Sequence, residues 1–396
     1  MFLNWRFDNT EVKQIYTLMN SVTNEVLGKS DIVKEDLSNV VDVGTEIFGS
    51  SSVDNYVKSL VNHIGKVIFV NRPYAGTAPS VLMDGWEFGS VLEKISCDLP
   101  VATENESWDL TDKQEYKQDI FYKPTVTAKF FNSRTTFEVA MSFTEKQVKE
   151  SFSNANQLNG FLSMLYNSVE KSMTIKIDSL IMRTINNMIG ETVLADYAGV
   201  VDGDYSKKTG VKAVNLLYLY NQRYGTKLTA DKAITDKDFI RFASYTINIY
   251  KDRLSKISTL FNVGGKERFT SSDYLHIVLL SDFIAGCNAF LQSDTFNKEL
   301  VALPNAESVP YWQGSGTDYS FGKVSQIHVT TADNHEITLG GVIGVMFDRD
   351  SLGVCNTDRR VTTNYNAKAE FYNNYYKFDA GFFNDLNENF VVFFVA

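Results

Sequence analysis

The run Ser153–Gly190, SNANQLNGFLSMLYNSVEKSMTIKIDSLIMRTINNMIG, carries apolar side chains at Leu158, Phe161, Leu162, Leu165, Val169, Met173, Ile177, Leu180, Ile181, Ile185 and Met188. Steps of three and four place them on one stripe of a 3.6-residue helix. No proline interrupts the run, and its one interior glycine, Gly160, lies in the first turns. Ser153 or Asn154 can accept from the orphan N–H groups at the start, and Gly190 is placed to close the other end. At 1.5 Å per residue the run predicts a helix of roughly 50 Å, longer than a small domain ordinarily uses. Such a helix is a spine on which β-rich parts are hung.

Both flanks of the spine read as strand. Upstream, Val126, Ala128 and Phe130 alternate, and Phe137, Val139, Met141 and Phe143 repeat the period of two. Thr144 then opens a short helix over 145–152. Strands feeding a long helix make an α+β unit. Before them, residues 71–124 hold four of the six prolines, Trp86 and Trp108, and short strands at 81–83, 91–96 and 118–122. Acidic residues crowd here, among them Asp98, Glu104, Glu106, Asp109, Asp112, Glu115 and Asp119, against Lys113 and Lys117. A stretch this long with so little apolar periodicity is either disordered or else extended and bound to something else. Tryptophans in polar, hairpin-like sequence point to a loop that packs on a neighbouring subunit, with Trp86, Trp108, Glu104, Glu106 and Asp109 as candidate contacts.

The remaining chain divides around these parts. Residues 1–50 form an N-terminal arm, with a helix from Thr10 that Gly28 ends, and 51–70 hold a helix over 54–63 and a strand over 67–70. Within 201–340 the pattern predicts a helix over 211–224 closed by Gly225. Thr235 and Asp238 form a capping box for a helix reaching Phe261. A buried strand at 274–280 and a helix capped by Ser281 follow. Strands at 323–331 and 336–339 flank a turn at Ala332-Asp333-Asn334-His335. Residues 341–396 return to strand, and the last run, Phe390–Val395, is too apolar for a free tail. It is expected beside the strands that precede the spine.

Composition excludes several functions. The 396 residues carry a net charge of −10 and no basic stripe able to track a phosphate backbone. Cys97, Cys287 and Cys355 lie far apart, form no CxxC pair, and read as free thiols of a reducing compartment. No signal-peptide apolar region and no 18-residue apolar run occurs, so neither secretion nor a membrane span is expected. Aromatics reach 13%, which suits subunit contacts and a large core alike.

No catalytic constellation emerges, so the chain is not read as an enzyme and no cofactor or metal is expected. The four histidines lack HExxH context, and His276, inside an apolar run, reads as a satisfied buried histidine. Gly264-Gly265-Lys266 is a turn, not a phosphate loop. Asp202-Gly203-Asp204 is too short for an EF-hand-type calcium loop. The acidic residues at 98–119 could in principle supply a glycosidase pair, but solvated loop charge is the simpler reading.

Taken together, the order of parts resembles the major capsid proteins of tailed bacteriophages, the Hong Kong 97-like fold, and is most similar to those of small short-tailed phages of the phi-twenty-nine type. The resemblance is carried by Val41-Asp42-Val43-Gly44 with Tyr56 through Gly65, by Phe161 through Ser168, and by Phe347-Asp348-Arg349-Asp350 with Tyr365 and Phe371 through Tyr376. It implies an extended loop at 71–124 reaching over an adjacent subunit. It also implies a peripheral domain over 125–200 and 341–396, and an axial domain over 201–340. The implied function is self-assembly, through hexamers and pentamers, into an icosahedral-type shell around double-stranded DNA. The implied partners are a separate scaffolding protein and a portal; the implied location is the virion, assembled in the cytoplasm of a bacterial host. Some relatives crosslink subunits through a Lys–Asn isopeptide bond, but Lys94, Lys113 and Lys117 read as ordinary charges and no crosslink is predicted. The alternatives are a nanocompartment shell of the encapsulin type and a β-rich carbohydrate-active protein.

Overall fold

In a computed structural model of the chain, the residues described are 92–116, 119–147, 155–198, 204–291, 306–312, 320–331 and 333–396, with 16, 19–26, 28, 33–34, 39, 42–43, 59, 78 and 81–83 before them. In chain order the strands and helices begin with β1 (Leu82–Met83), β2 (Leu92–Cys97), β3 (Val126–Phe131) and β4 (Arg134–Thr144). Next come the helix α1 (Ala155–Asp196), β5 (Ala213–Asn215), α2 (Leu216–Tyr224), α3 (Ala230–Ala233) and α4 (Lys237–Leu254). Then follow β6 (Leu275–Leu280), α5 (Ser281–Leu291), β7 (Glu307–Val309) and α6 (Phe321–Val324). The chain ends with β8 (Ile327–Thr330), β9 (Glu336–Leu339), β10 (Val342–Asp348), β11 (Leu352–Asn366), β12 (Phe371–Asn384) and β13 (Phe390–Phe394). The fold class is α+β, as the sequence predicts. The helix expected over 54–63, apart from Ser59, and the strand over 67–70 lie outside the described residues.

Two compact units share the chain. One comprises Met1–Pro79, Arg134–Ser179 and Asn356–Gly381. In it β4 and β12 pair antiparallel from Thr144↔Phe371 to Arg134↔Gly381. The pleat sorts their side chains: Phe137 meets Phe378 and Phe143 meets Tyr372 at ring distances of 5.2 and 6.0 Å. On the opposite face Thr136 donates to Asp379 at 2.6 Å, and Arg360 pairs with the same carboxylate at 2.7 Å. Thr144 and Gln147 cap the turn after β4 reciprocally, side chain to backbone, at 3.2 and 2.9 Å. In the arm, Met19, Val22 and Thr23 are buried on a helical stretch that Gly28 ends at φ +64°.

The other unit comprises Ser80–Ser133, Leu180–Cys355 and Phe382–Ala396. Its sheet runs β5-β13-β10-β6-β7, with β10 antiparallel to both β13 and β6 and parallel pairs at the two edges. Phe393, Val391, Met346, Ile343, Ile277 and Leu279 from this sheet join Phe239, Ile247, Leu254, Phe283 and Cys287 of α4 and α5 in one core. Each fully buried Phe or Leu contributes about 1.5–3 kcal/mol. Gly341, at φ +71°, admits the last strand, since a Cβ there would sit 1.9 Å from the Val395 carbonyl oxygen.

Four sequence expectations are corrected here. The last strand does not lie beside those preceding the spine; β13 sits between β10 and β5. All five of its residues are buried, whereas β4 presents an alternating exposed face. A continuous apolar strand needs cover on both faces: Val391 and Phe393 enter the core with α4, and Phe394 packs on Tyr197 and Tyr205.

Secondly, α1 runs past Gly190 to Asp196. Gly190 serves an approach, not a stop: its Cβ would stand 3.3 Å from Val329 on β8. The helix ends where the Asp196 carboxylate accepts from the Lys212 and Ala213 amides at 2.6 and 2.9 Å. Burial along α1 also changes. Val169, Met173 and Ile177 keep one stripe, but from Leu180 to Val193 most positions are buried, Thr184, Asn186 and Thr192 included.

Thirdly, 213–215 is strand before α2 begins, because these residues pair parallel with β13. Finally, α4 is capped by Asp236, which accepts from the Phe239 amide at 2.8 Å, while Thr235 donates to the Lys232 carbonyl. It stops at Leu254, short of Phe261.

Candidate assembly surface

The hairpin β2–β3 pairs from Leu92↔Phe131 to Cys97↔Val126. Its alternation divides two faces. Leu92, Lys94, Ser96, Thr127, Lys129 and Phe131 are partly buried, and Ile95, Val126 and Phe130 are exposed by 65, 58 and 64%. The usual order is reversed: ammonium groups point inward and a β-branched and aromatic stripe points outward. Beyond the hairpin, no regular strand forms over 119–122, contrary to the expectation for 118–122. Phe121 and Tyr122 stand exposed there, with Leu99, Val101 and Leu110 on the same loop. This concentration of exposed apolar side chains on one hairpin and its loop makes the region the candidate surface.

Ion pairs line the inner face of the hairpin. Lys94 Nζ lies 2.9 Å from Asp385 and 2.8 Å from Glu388; Lys129 Nζ lies 2.8 Å from the other Asp385 oxygen. Arg268 reaches Glu388 at 3.1 Å, and Lys266 pairs with Asp98 at 3.0 Å, just past the end of β2. The Phe131 ring also packs against Phe383 at 5.2 Å. Asp385 is 2% exposed at its side chain, while Lys94 and Lys129 keep 22 and 34% of theirs in water, so the carboxylate end of the pairing is dry and the ammonium end partly open. Burial by itself pushes the Asp385 carboxyl up, yet Lys129 and Lys94 outweigh it and hold the group below its ordinary value. Burial pushes the Lys94 ammonium down, and Glu388 and Asp385 more than reverse that.

The acidic turn is itself fixed. The Asp385 amide donates to the Ser351 carbonyl at 2.6 Å, the Asn387 amide to the Asp385 side chain at 3.1 Å, and the Gly264 amide to the Leu386 carbonyl at 2.8 Å. Neighbouring Asn389 bonds to Thr270, which bonds to Asp348. A rigid pair of carboxylates thus faces two lysines on the hairpin.

Of the residues singled out by sequence, Trp108 is 98% exposed and Glu104 and Asp109 are exposed beside it on the loop. Trp86 and the side chain of Glu106 lie outside the described residues, as does Lys117. Of the acidic residues, Asp98 pairs with Lys266 at 3.0 Å. Sequence reading missed Lys94, Lys129, Asp385 and Glu388 as a cluster. Its one signal was lysine alternating with apolar residues in β2 and β3, which places the charges on one face.

Elsewhere, Gly264-Gly265-Lys266 is a turn, with Asn262 bonded to both the amide and carbonyl of Lys266. His276 is not satisfied: its ring lies 5.8 Å from Phe347, its Nε2 has no partner, and burial pushes the imidazole pKa down. The three cysteines are free thiols, Cys97 exposed and the others buried. Among the described residues no group of side chains could hold a metal ion, and no helix is long and apolar enough to cross a membrane.

Comparison with known proteins gives one sequence family. Residues 19–394 match the Phi29-like phage major capsid protein family. No curated protein sequence matches significantly. A chain from the capsid of Staphylococcus phage Andhra is similar in structure with a TM-score of 0.47 at 10% identity, over 80% of this chain and 83% of that one. A chain from the mature capsid of bacteriophage PhiM1 scores 0.40 at 9% identity, over 82% and 87%. A chain from the capsid of cyanophage P-SCSP1u scores 0.41 at 7% identity, over 80% and 86%.

Proposed function

The chain belongs to the Phi29-like phage major capsid protein family and is a shell-forming virion component, and from that premise we propose that its β2–β3 hairpin and the loop beyond it are the arm by which one copy grips the next. The observation that carries this reading is the reversed hairpin, with Ile95, Val126 and Phe130 facing outward and Trp108 98% exposed. A second copy covering these side chains would remove apolar area from water at about 25 cal/mol per Å². Repetition around a closed shell multiplies a modest contact into a firm lattice. Glu104 and Asp109 flank Trp108 and would set its register against cationic groups of the neighbour.

The finer parts of the assignment rest on the same premise. The family is one of structural proteins, so the chain acts by assembly and not by catalysis. We assign residues 201–340 to the axial domain of a capsomer, 125–200 with 341–396 to its peripheral domain, and 71–124 to the extended loop that reaches over an adjacent subunit. The shell would enclose double-stranded DNA, and a net charge of −10 keeps it from gripping a polymer driven inside. A separate scaffolding protein, a portal and assembly in the cytoplasm of a bacterial host complete the reading.

The test is a paired substitution, Ile95→Asp with Phe130→Asp. Subunits should stay folded by circular dichroism while closed shells disappear from negative-stain images and sedimentation profiles. Shells forming at wild-type yield would overturn the arm assignment.

A further inference from the structure

We infer that Asp385 and Glu388 are positioning residues for assembly: together with Lys94 and Lys129 they form a charge clasp that sets the pose of the β2–β3 hairpin. The inference rests on the reading of that hairpin as the inter-subunit arm. It goes further by naming what aims the arm, a buried ionic contact more than side-chain packing.

The geometry supports each part. Two carboxylates meet two ammoniums at 2.8–2.9 Å across elements far apart in sequence. Lys94 also donates to the Asp350 carbonyl at 3.1 Å, so its ammonium has three acceptors. Arg268 braces the far side of Glu388. The acid-bearing turn is tied by backbone bonds to Ser351 and Gly264 and cannot follow the hairpin if the hairpin moves.

Against this rigid receptor the hairpin is a lone two-stranded ribbon, and such ribbons are marginal by themselves in water. Its remaining described anchors are the Phe131–Phe383 contact at the root and Lys266–Asp98 beyond the ladder. Leu92 and Phe131 share the partly buried inner face, but apolar contact carries no direction. A lysine ammonium is a point charge on a flexible stem, so the pose is set by convergence: three acceptors meet at Lys94 and two lysines share the Asp385 carboxylate, and leaving that buried carboxylate unpaired carries a heavy penalty. The outward face is therefore presented to a neighbour in one pose without consuming any of its own apolar surface.

The test uses full-length subunits and two readouts. In Lys94→Gln with Lys129→Gln, peptides covering 92–97 and 126–131 should exchange amide hydrogens about tenfold faster than wild type, a local opening effect. Peptides covering 275–280, 342–348 and 390–394 should be unchanged, and shell yield should drop. Asp385→Asn, on the opposite side of the clasp, should produce the same local pattern, and Asp385→Glu should restore part of the protection. Because the lysines lie on the hairpin, the first variant tests the clasp even if Asp385→Asn fails to fold.

Unchanged hairpin exchange in the lysine variant would overturn the clasp. A loosened hairpin with wild-type shell yield would overturn its role in assembly. Failure of the arm reading itself would look different: Ile95→Asp with Phe130→Asp would form shells normally, while the exchange result on the clasp would be untouched.

Discussion

The five-stranded sheet and the β2–β3 hairpin use similar residues in opposite ways. Strand β13, Phe-Val-Val-Phe-Phe, buries every side chain, with Phe393 fully covered. Strand β3, Val-Thr-Ala-Lys-Phe-Phe, leaves Phe130 64% exposed and turns Lys129 inward. The first is complete within one chain; the second withholds apolar surface from its own fold and anchors itself with charge. The difference teaches that burial in a strand is decided by what covers each face, and that a chain which assembles can keep an aromatic stripe uncovered until a neighbour arrives.

That contrast can be broken or sharpened by four measurements on the unassembled subunit. The largest effect belongs to the sheet. Phe393→Ala should cost about 3–5 kcal/mol in denaturant-induced unfolding, since it opens a cavity in a packed core. A loss below 1 kcal/mol, within the range of surface changes, would mean the sheet is not the seat of stability.

Acid comes next. Asp385 titrates below its unfolded value, so its contribution is complete above about pH 4 and is lost as the pH falls through the depressed folded value. Limited proteolysis of the β2–β3 hairpin should accelerate on that descent, ahead of loss of far-ultraviolet circular dichroism. Simultaneous loss of both would show that hairpin and body unfold as one.

A smaller loss is expected from Asp236→Ala, which removes the cap of α4: about 1 kcal/mol by the same denaturation assay. The smallest is Trp108→Ala. With 98% of the residue in water, subunit stability should shift by less than about 0.5 kcal/mol. Shell yield should nevertheless fall. A Trp108 variant that destabilises the lone subunit would place that indole in the subunit's own core and erase the contrast.

Thiol labelling adds a check on burial. Burial pushes the Cys287 thiol up to about 12, so a neutral-pH alkylating agent should modify exposed Cys97 and spare Cys287 in the native chain.

Legibility in the sequence followed the range of the interactions involved. The spine, the alternation of β4 and β12, the apolar runs of β6 and β10, and the turn at Asn334 (φ +60°) between β8 and β9 are written in local period and turn chemistry. The 98% exposure of Trp108 also has a local reason, since tryptophan in acidic, proline-rich sequence has little to pack on nearby. What was not legible depended on partners distant in sequence. Gly190 looks like a helix stop until Val329 is seen against it, and Val211 to Tyr224 looks like one helix until β13 claims 213–215 as strand. The clasp joins Lys129 to a carboxylate 256 positions away.

By itself, then, the sequence determined that this chain has a long helical spine between β-rich flanks and an acidic stretch over 98–119, and it carried the family resemblance in its order of parts. The spine and the acidic stretch reside in periodicity and composition, which survive without knowledge of distant contacts. Tertiary structure alone decided where the spine ends, which sheet takes the last strand, and which face of the loop hairpin is turned to solvent. Each of these is a choice between two faces or two neighbours that the local chain tolerates equally, and it is settled by burial and charge brought together only by folding.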